Sequence, residues 1–163
     1  MVRMKSAAAI AAISLLTVGC SGGGSETEKP ASNTTEAAPS ADSGPPAADD
    51  VTTLNGVEYA SLTGDAAAGK SAFMQCRTCH VVDPGMNRVG PSLADIVGRD
   101  AGSVAGFKYT PANRDSGIVW TEEKLFQFLE KPQRVIPKTK MIFAGMPNAQ
   151  QRADVIAYLK NPN

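Results

Sequence analysis

The chain has 163 residues with 16 basic and 16 acidic side chains, so its formal net charge is zero. That length amounts to about one domain. A zero balance argues against a nucleic-acid binder, which carries a basic excess, and against a wholly disordered acidic chain.

The charge is unevenly spread. Residues 1–20 hold Arg3 and Lys5, residues 21–63 hold Lys29 against seven acids, and residues 64–163 hold thirteen bases against nine acids. At the N-terminus, Arg3 and Lys5 precede an apolar run from Ala7 to Val18 that ends at Gly19-Cys20, the layout of a secretory signal over residues 1–19. The run falls short of the roughly 20 apolar residues needed to span a bilayer. Leu-Thr-Val-Gly-Cys resembles the lipobox of bacterial lipoproteins, although Thr17 stands where leucine is usual. The resemblance implies lipidation of Cys20, which would supply the anchor that the peptide lacks; an ordinary signal peptide is the alternative. From Ser21 to Asp50 there is no Val, Ile, Leu, Met, Phe, Tyr or Trp. Such a stretch cannot bury enough apolar area to offset chain ordering, so residues 20–63 are expected to form a lipidated N-terminus and flexible acidic linker. Residues 51–63, with Val51, Leu54, Val57, Tyr59 and Leu62, either pack on the domain or lead into it.

Residues 64–163 hold eight of the nine aromatic residues and form the expected globular domain. Asp65 is placed to cap a helix running from Ala66 through Phe73 to Cys76. A short helix fits Ser92 to Val97, stopped by Gly98. Thr121-Glu-Glu opens another, with acids in its first turn, closed before Pro132. The last helix begins near Asn148, with Gln151 three residues on as a capping-box partner. Ala149, Ala153, Val155, Ile156 and Leu159 fit its buried face. The stretches between are rich in Gly and Pro, so the expected class is all-α with long loops.

Cys76-Arg-Thr-Cys79-His80 is the haem attachment motif of c-type cytochromes. Two thiols at this spacing can each form a thioether to one edge of a porphyrin, and the next residue offers its imidazole to the iron. His80 is the only histidine in the chain. A zinc site wants about four ligands, and only three Cys or His lie in the domain. A thiol–disulfide oxidoreductase wants a strand before the cysteines, and a structural disulfide leaves His80 unexplained.

From Gly64 to Lys160 the chain resembles class I cytochromes c of the mitochondrial type and their bacterial relatives. Gly69 and Phe73 match the N-terminal helix, and Gly90-Pro91-Ser-Leu93 the loop whose proline carbonyl takes the N–H of the proximal histidine. Gly106-Phe107-Lys-Tyr109-Thr-Pro-Ala-Asn113 and Gly117-Ile-Val-Trp120 match the loop beneath the haem. Ile136-Pro137-Lys-Thr139-Lys140-Met141-Ile-Phe143 matches the loop of the distal methionine. The resemblance implies the cytochrome c fold, with short helices and long loops around one covalent haem c. It implies His80 and Met141 on the iron, and haem contacts from Pro91, Arg99, Tyr109, Asn113, Trp120 and Thr139. A thioether is a soft neutral ligand that suits ferrous iron; Met86 and Met146 are the alternatives to Met141. Where the family commonly has a tyrosine that hydrogen-bonds the ligand sulphur, this chain has Phe128, and its basic ring is thinned at Gln75 and Pro147.

The function implied is that of an electron carrier and not an enzyme. It would be a monomeric, lipid-anchored cytochrome outside a bacterial cytoplasmic membrane, serving partners such as a quinol–cytochrome c reductase and a terminal oxidase. The alternative is a five-coordinate haem enzyme or gas sensor in which Met141 is not bound.

Overall fold

Asp65 starts the first helix: its carboxylate accepts from Ala67 N (2.7 Å) and Ala68 N (3.1 Å) at the head of α1, Ala66–Ala72, which tightens into a 3-10 turn over Phe73–Gln75. In the computed structural model residues 44–162 are described. The signal segment, Cys20 and the linker up to residue 43 lie outside the described residues.

Two one-turn helices, α2 (Pro111–Arg114) and α4 (Pro132–Val135), each open on proline, where a missing N–H costs no helical bond. They arise in stretches expected to be loop. Thr121 caps α3, Glu122–Glu130, by accepting from Lys124 N (3.1 Å), and Glu122 and Glu123 sit in its first turn. Asn148 caps α5, Ala149–Lys160, by accepting from Gln151 N (3.1 Å). Among the described residues no strand forms, only a bridge between Asp100 and Val119, so the all-α expectation holds.

α1 crosses α5 at Gly69. A Cβ on Gly69 would fall on the Asp154 carbonyl, with Tyr158 Cβ 2.9 Å away, so only glycine permits this approach. Beside the crossing, Phe73 and Tyr158 meet with ring centroids 5.2 Å apart. The Asp154 carboxylate accepts from Asp65 N (2.9 Å), tying the start of α1 to the middle of α5, and from Gln150 Nε2 (2.8 Å) one turn back in α5. Phe126, Leu129, Ala153, Ile156 and Leu159 join the same buried core. Ala149, expected on the buried face of α5, is only partly covered.

Two expectations fail. Ser92 to Val97 is not helical but a pair of turns with Asp95 at φ 49°. The Arg99 guanidinium donates to the carbonyls of Ala94 (2.6 Å) and Ser92 (3.0 Å), which are acceptors that a helix would need. Ser92 Oγ meanwhile accepts from Ala94 N (3.2 Å) and donates to the Asp83 carbonyl (2.7 Å).

The second correction concerns the linker, expected to reach residue 63 with residues 51–63 left open between packing and leading in. Residues 47–62 lie as a strap along α3, so the packing alternative holds and extends back to Ala47. All seven residues from Lys124 to Glu130 are buried, whereas a surface helix normally leaves a polar face in water. The strap satisfies the polar groups of that face by hydrogen bonds, while its Ala48, Val57, Tyr59 and Leu62 pack against the core. Lys124 Nζ donates to the carbonyls of Ala47 (2.9 Å) and Asp50 (2.7 Å) and to Gln127 Oε1 (2.8 Å). Gln127 Nε2 donates to the Thr52 carbonyl (2.9 Å), and Glu130 Oε2 accepts from Leu54 N (2.6 Å). Burial lowers the pKa of the Lys124 ammonium, against the pull of Asp50, and its three acceptors supply the partners that a buried cation requires. Further along, Tyr59 donates to Glu122 (2.5 Å) and packs on Phe126 with centroids 5.6 Å apart.

Candidate functional site

The strap and the site use opposite faces of α3. Lys124, Gln127 and Glu130 bond the strap, while Leu125, Phe128 and Leu129 line a cavity of ≈ 270 Å³ on the other side. Residues three and four apart share one side of a helix, which produces the division. Apolar side chains close the rest of the cavity: Phe73 from the turn after α1, Leu93 and Ile96 from the following loop, and Val155 and Leu159 from α5.

Both cysteines of the motif, not disulfide-bonded to each other, line the cavity. Burial, then the charge of neighbouring Cys79, pushes the Cys76 thiol up to about 11. His80 follows in the same lining. Its Nδ1 lies 2.8 Å from the Pro91 carbonyl. A carbonyl can only accept, so Nδ1 carries the proton and Nε2 keeps a free lone pair. Burial lowers the imidazole pKa from its usual 6.5, against the Pro91 bond, which favours the neutral form that a metal needs. Gly90 lies against the ring: a Cβ there would meet His80 Nε2 at 2.8 Å, so a side chain at this position would push the imidazole away.

Thr139 and Met141 line the cavity from the loop after α4. Gln133 Nε2 donates to the carbonyls of both residues (3.2 Å each), and Met141 N donates to Thr139 Oγ1 (3.3 Å). The two rival methionines lie elsewhere: Met146 is buried in the core, its N–H on the Leu129 carbonyl (2.8 Å), and Met86 is exposed. Neither lines the cavity.

Arg99, Tyr109, Asn113 and Trp120 form one polar-edged stretch of the lining, so every cofactor-contact residue expected from the sequence reaches the cavity. Arg99 spends two of its donors on backbone carbonyls. Trp120 packs on Phe128 with centroids 4.8 Å apart. The buried Asn113 Oδ1 has no hydrogen-bond partner among the described residues. The side chain thus has an unused polar end at a residue of the cavity lining, and a flip of the amide would present the donor instead.

These residues fit a haem. Two thiols spaced for thioethers, a neutral imidazole with Nε2 free, an apolar slot and an orphaned amide at a polar edge are what such a group requires. A zinc reading gains nothing: among the described residues no group of three or more His, Cys, Asp or Glu is placed to hold a metal ion.

Gln133 and Lys140 are contributors that the sequence reading did not foresee. Lys140 Nζ donates to the Lys108 carbonyl (2.8 Å), bracing the methionine loop against the loop that carries Tyr109. Exposed Val89 and fully exposed Ile142 also line the cavity. An apolar side chain held in water was the one signal available for them, and it shows only after folding.

Residues 66–162 match the family model for cytochrome c. Cytochrome c type-1 of Ascaris suum is 49% identical over 98 residues, which cover 60% of this chain and 88% of that protein. Cytochrome c2 of Blastochloris viridis is 48% identical over 100 residues, 61% of this chain and 79% of that one. Among solved structures, cytochrome cH from Methylobacterium extorquens superposes with a TM-score of 0.57 at 42% identity, covering 60% of this chain and 98% of that one.

Proposed function

The chain belongs to the cytochrome c family, electron carriers with a covalent haem c, and from that membership we propose that it is a membrane-tethered monohaem shuttle with His80 and Met141 as axial ligands. The observation that carries this reading is that one cavity has Cys76, Cys79, His80 and Met141 all in its lining. Haem bound there would supply one-electron chemistry, its iron alternating between ferrous and ferric states. Cys76 and Cys79 would hold the group by thioethers. The Pro91 carbonyl orients the His80 ring, and the Gln133 bonds fix the backbone on either side of the Met141 thioether. Phe73, Leu125, Phe128 and Leu129 exclude water from the apolar slot, while Val89 and Ile142 leave its rim apolar and open to a partner.

An optical spectrum of the membrane-extracted protein tests the reading. It should show covalent haem c and, when oxidised, the far-red band of sulphur ligation. Prompt carbon monoxide binding by the reduced protein would favour a five-coordinate enzyme or sensor instead.

Lipidation of Cys20, export to the outer face of a bacterial membrane, and service to partners such as a quinol–cytochrome c reductase and a terminal oxidase belong to the same proposal. The support is the order of signal, lipobox-like cysteine and acidic spacer in the sequence. A tether raises the effective concentration of the domain at successive membrane partners. Deleting residues 21–43 is therefore expected to slow transfer between membrane complexes while leaving the reduction potential unchanged. The deletion must stop at 43, since Lys124 bonds Ala47 and Asp50. Unchanged transfer rates after the deletion would refute the shuttle.

Phe128 packs on Trp120 in the same lining as Met141 and offers the sulphur no hydroxyl. A hydrogen bond to sulphur withdraws electron density from the iron, so Phe128→Tyr is expected to raise the potential. Redox titration reads the change, and an unchanged or lower value contradicts it.

A further inference from the structure

The strap reaches both ends of the loop that carries Met141. At the entry, Arg134 Nη1 in α4 donates to the Thr52 carbonyl (3.1 Å), and the preceding residue is Gln133, which holds the carbonyls of Thr139 and Met141. At the exit, the Glu130 carboxylate accepts from Leu54 N (2.6 Å) and, at longer range, from Asn55 N (3.4 Å). The same carboxylate lies 3.4 Å from Arg152 Nη2. Arg152 is wholly buried, with its guanidinium 4.2 Å from the centre of the Phe126 ring. From Nη1 it donates to the carbonyls of Met146 (2.7 Å) and Pro147 (3.1 Å), where the loop ends. Gly145, at φ 108°, passes so close to the Glu130 carbonyl that a Cβ would collide with it.

Between these two clamps the loop around Met141 is held mainly by side chains: Gln133 on the carbonyls of Thr139 and Met141, Lys140 on the Lys108 carbonyl, and Thr139 Oγ1 on Met141 N (3.3 Å). The exit clamp is itself under-satisfied, since Arg152 Nε has no hydrogen-bond partner among the described residues. A buried charge that loses its partners is costly and is relieved by admitting water. The strap amides on Glu130 thus share one carboxylate with the Arg152 guanidinium that holds Met146 and Pro147. Segments with few bonds of their own open locally before the whole fold does.

We propose that Glu130, Arg152 and Arg134 are positioning residues for Met141, and that strap residues 52–55 act through them to keep the thioether on the iron. The inference rests on the reading of Met141 as an axial ligand.

The test uses full-length, haem-loaded protein as wild type, Glu130→Gln and Arg134→Ala. Imidazole is titrated into the ferric form while the far-red band is followed, and guanidinium unfolding is recorded by far-UV circular dichroism. Imidazole binds only where the sulphur has left, so its apparent affinity reports the detached population. Each variant is expected to bind imidazole about tenfold more tightly, the scale set by losing one hydrogen bond to a charged group. The unfolding midpoint of Arg134→Ala should stay near wild type. Wild-type imidazole affinity in Arg134→Ala overturns the proposal, even if Glu130→Gln fails to fold. So does a gain in affinity that only tracks an equal loss of global stability. A wild-type protein with no far-red band to lose removes the Met141 assignment and the proposal together, whereas a band present but unmoved in the variants removes the proposal alone.

Discussion

Gly69→Val is expected to abolish the native fold, and even Gly69→Ala should destabilise it. In an exposed helix interior, replacing glycine by alanine gains about 0.5–1 kcal/mol, because glycine loses the most backbone freedom on folding. The sign reverses here, because the new Cβ lands on the Asp154 carbonyl and beside Tyr158 Cβ. Forcing atoms into a packed contact typically costs about 1–3 kcal/mol, and more where the obstacle is backbone. Valine adds two methyl groups and a stiff χ1 to the same collision. The total approaches the stability of about 5 kcal/mol at the low end for a domain. Urea unfolding of the alanine variant and the yield of folded, haem-loaded valine variant measure the effect. An alanine variant as stable as wild type would show that α1 and α5 cross more loosely than described.

Met141→Leu should leave the fold standing and change the redox chemistry. Leucine matches methionine in volume and polarity, so packing against the cavity wall survives, but it offers iron no lone pair. The potential is expected to fall by a few tenths of a volt, within the ~0.8 V over which axial ligands set haem potentials. Carbon monoxide should bind the reduced variant promptly and the wild type poorly. Equal behaviour of the two proteins would assign the sixth position elsewhere, with Met86 and Met146 next to be substituted.

Much of this architecture could be read from the sequence wherever the governing interaction is local. Asp65, Thr121 and Asn148 cap amides two or three residues ahead, and the haem motif is contiguous. The methionine loop was reached through family resemblance, and the folded chain brings Met141 to the cavity while keeping Met146 in the core. Long-range capture was hidden. Nothing local marks Lys124, Gln127 and Glu130, which bind backbone groups 74 to 77 residues away in sequence. The helix expected at Ser92–Val97 fails for a related reason, since Arg99 takes carbonyls that helical amides would need.

Lys124 also settles how the domain meets a pull from its N-terminal side. After Pro45 and Pro46, which line a shallow pocket with Ile118 and Ile136, the first hydrogen bonds from the strap to α3 are those of Ala47 and Asp50, both made to one ammonium on the side of α3 that faces away from the cavity. Thr52, Leu54 and Asn55 come after them along the chain. The lysine therefore works as strain relief on a cable. A pull on the chain is expected to load its two carbonyl bonds before those of Thr52, Leu54 and Asn55.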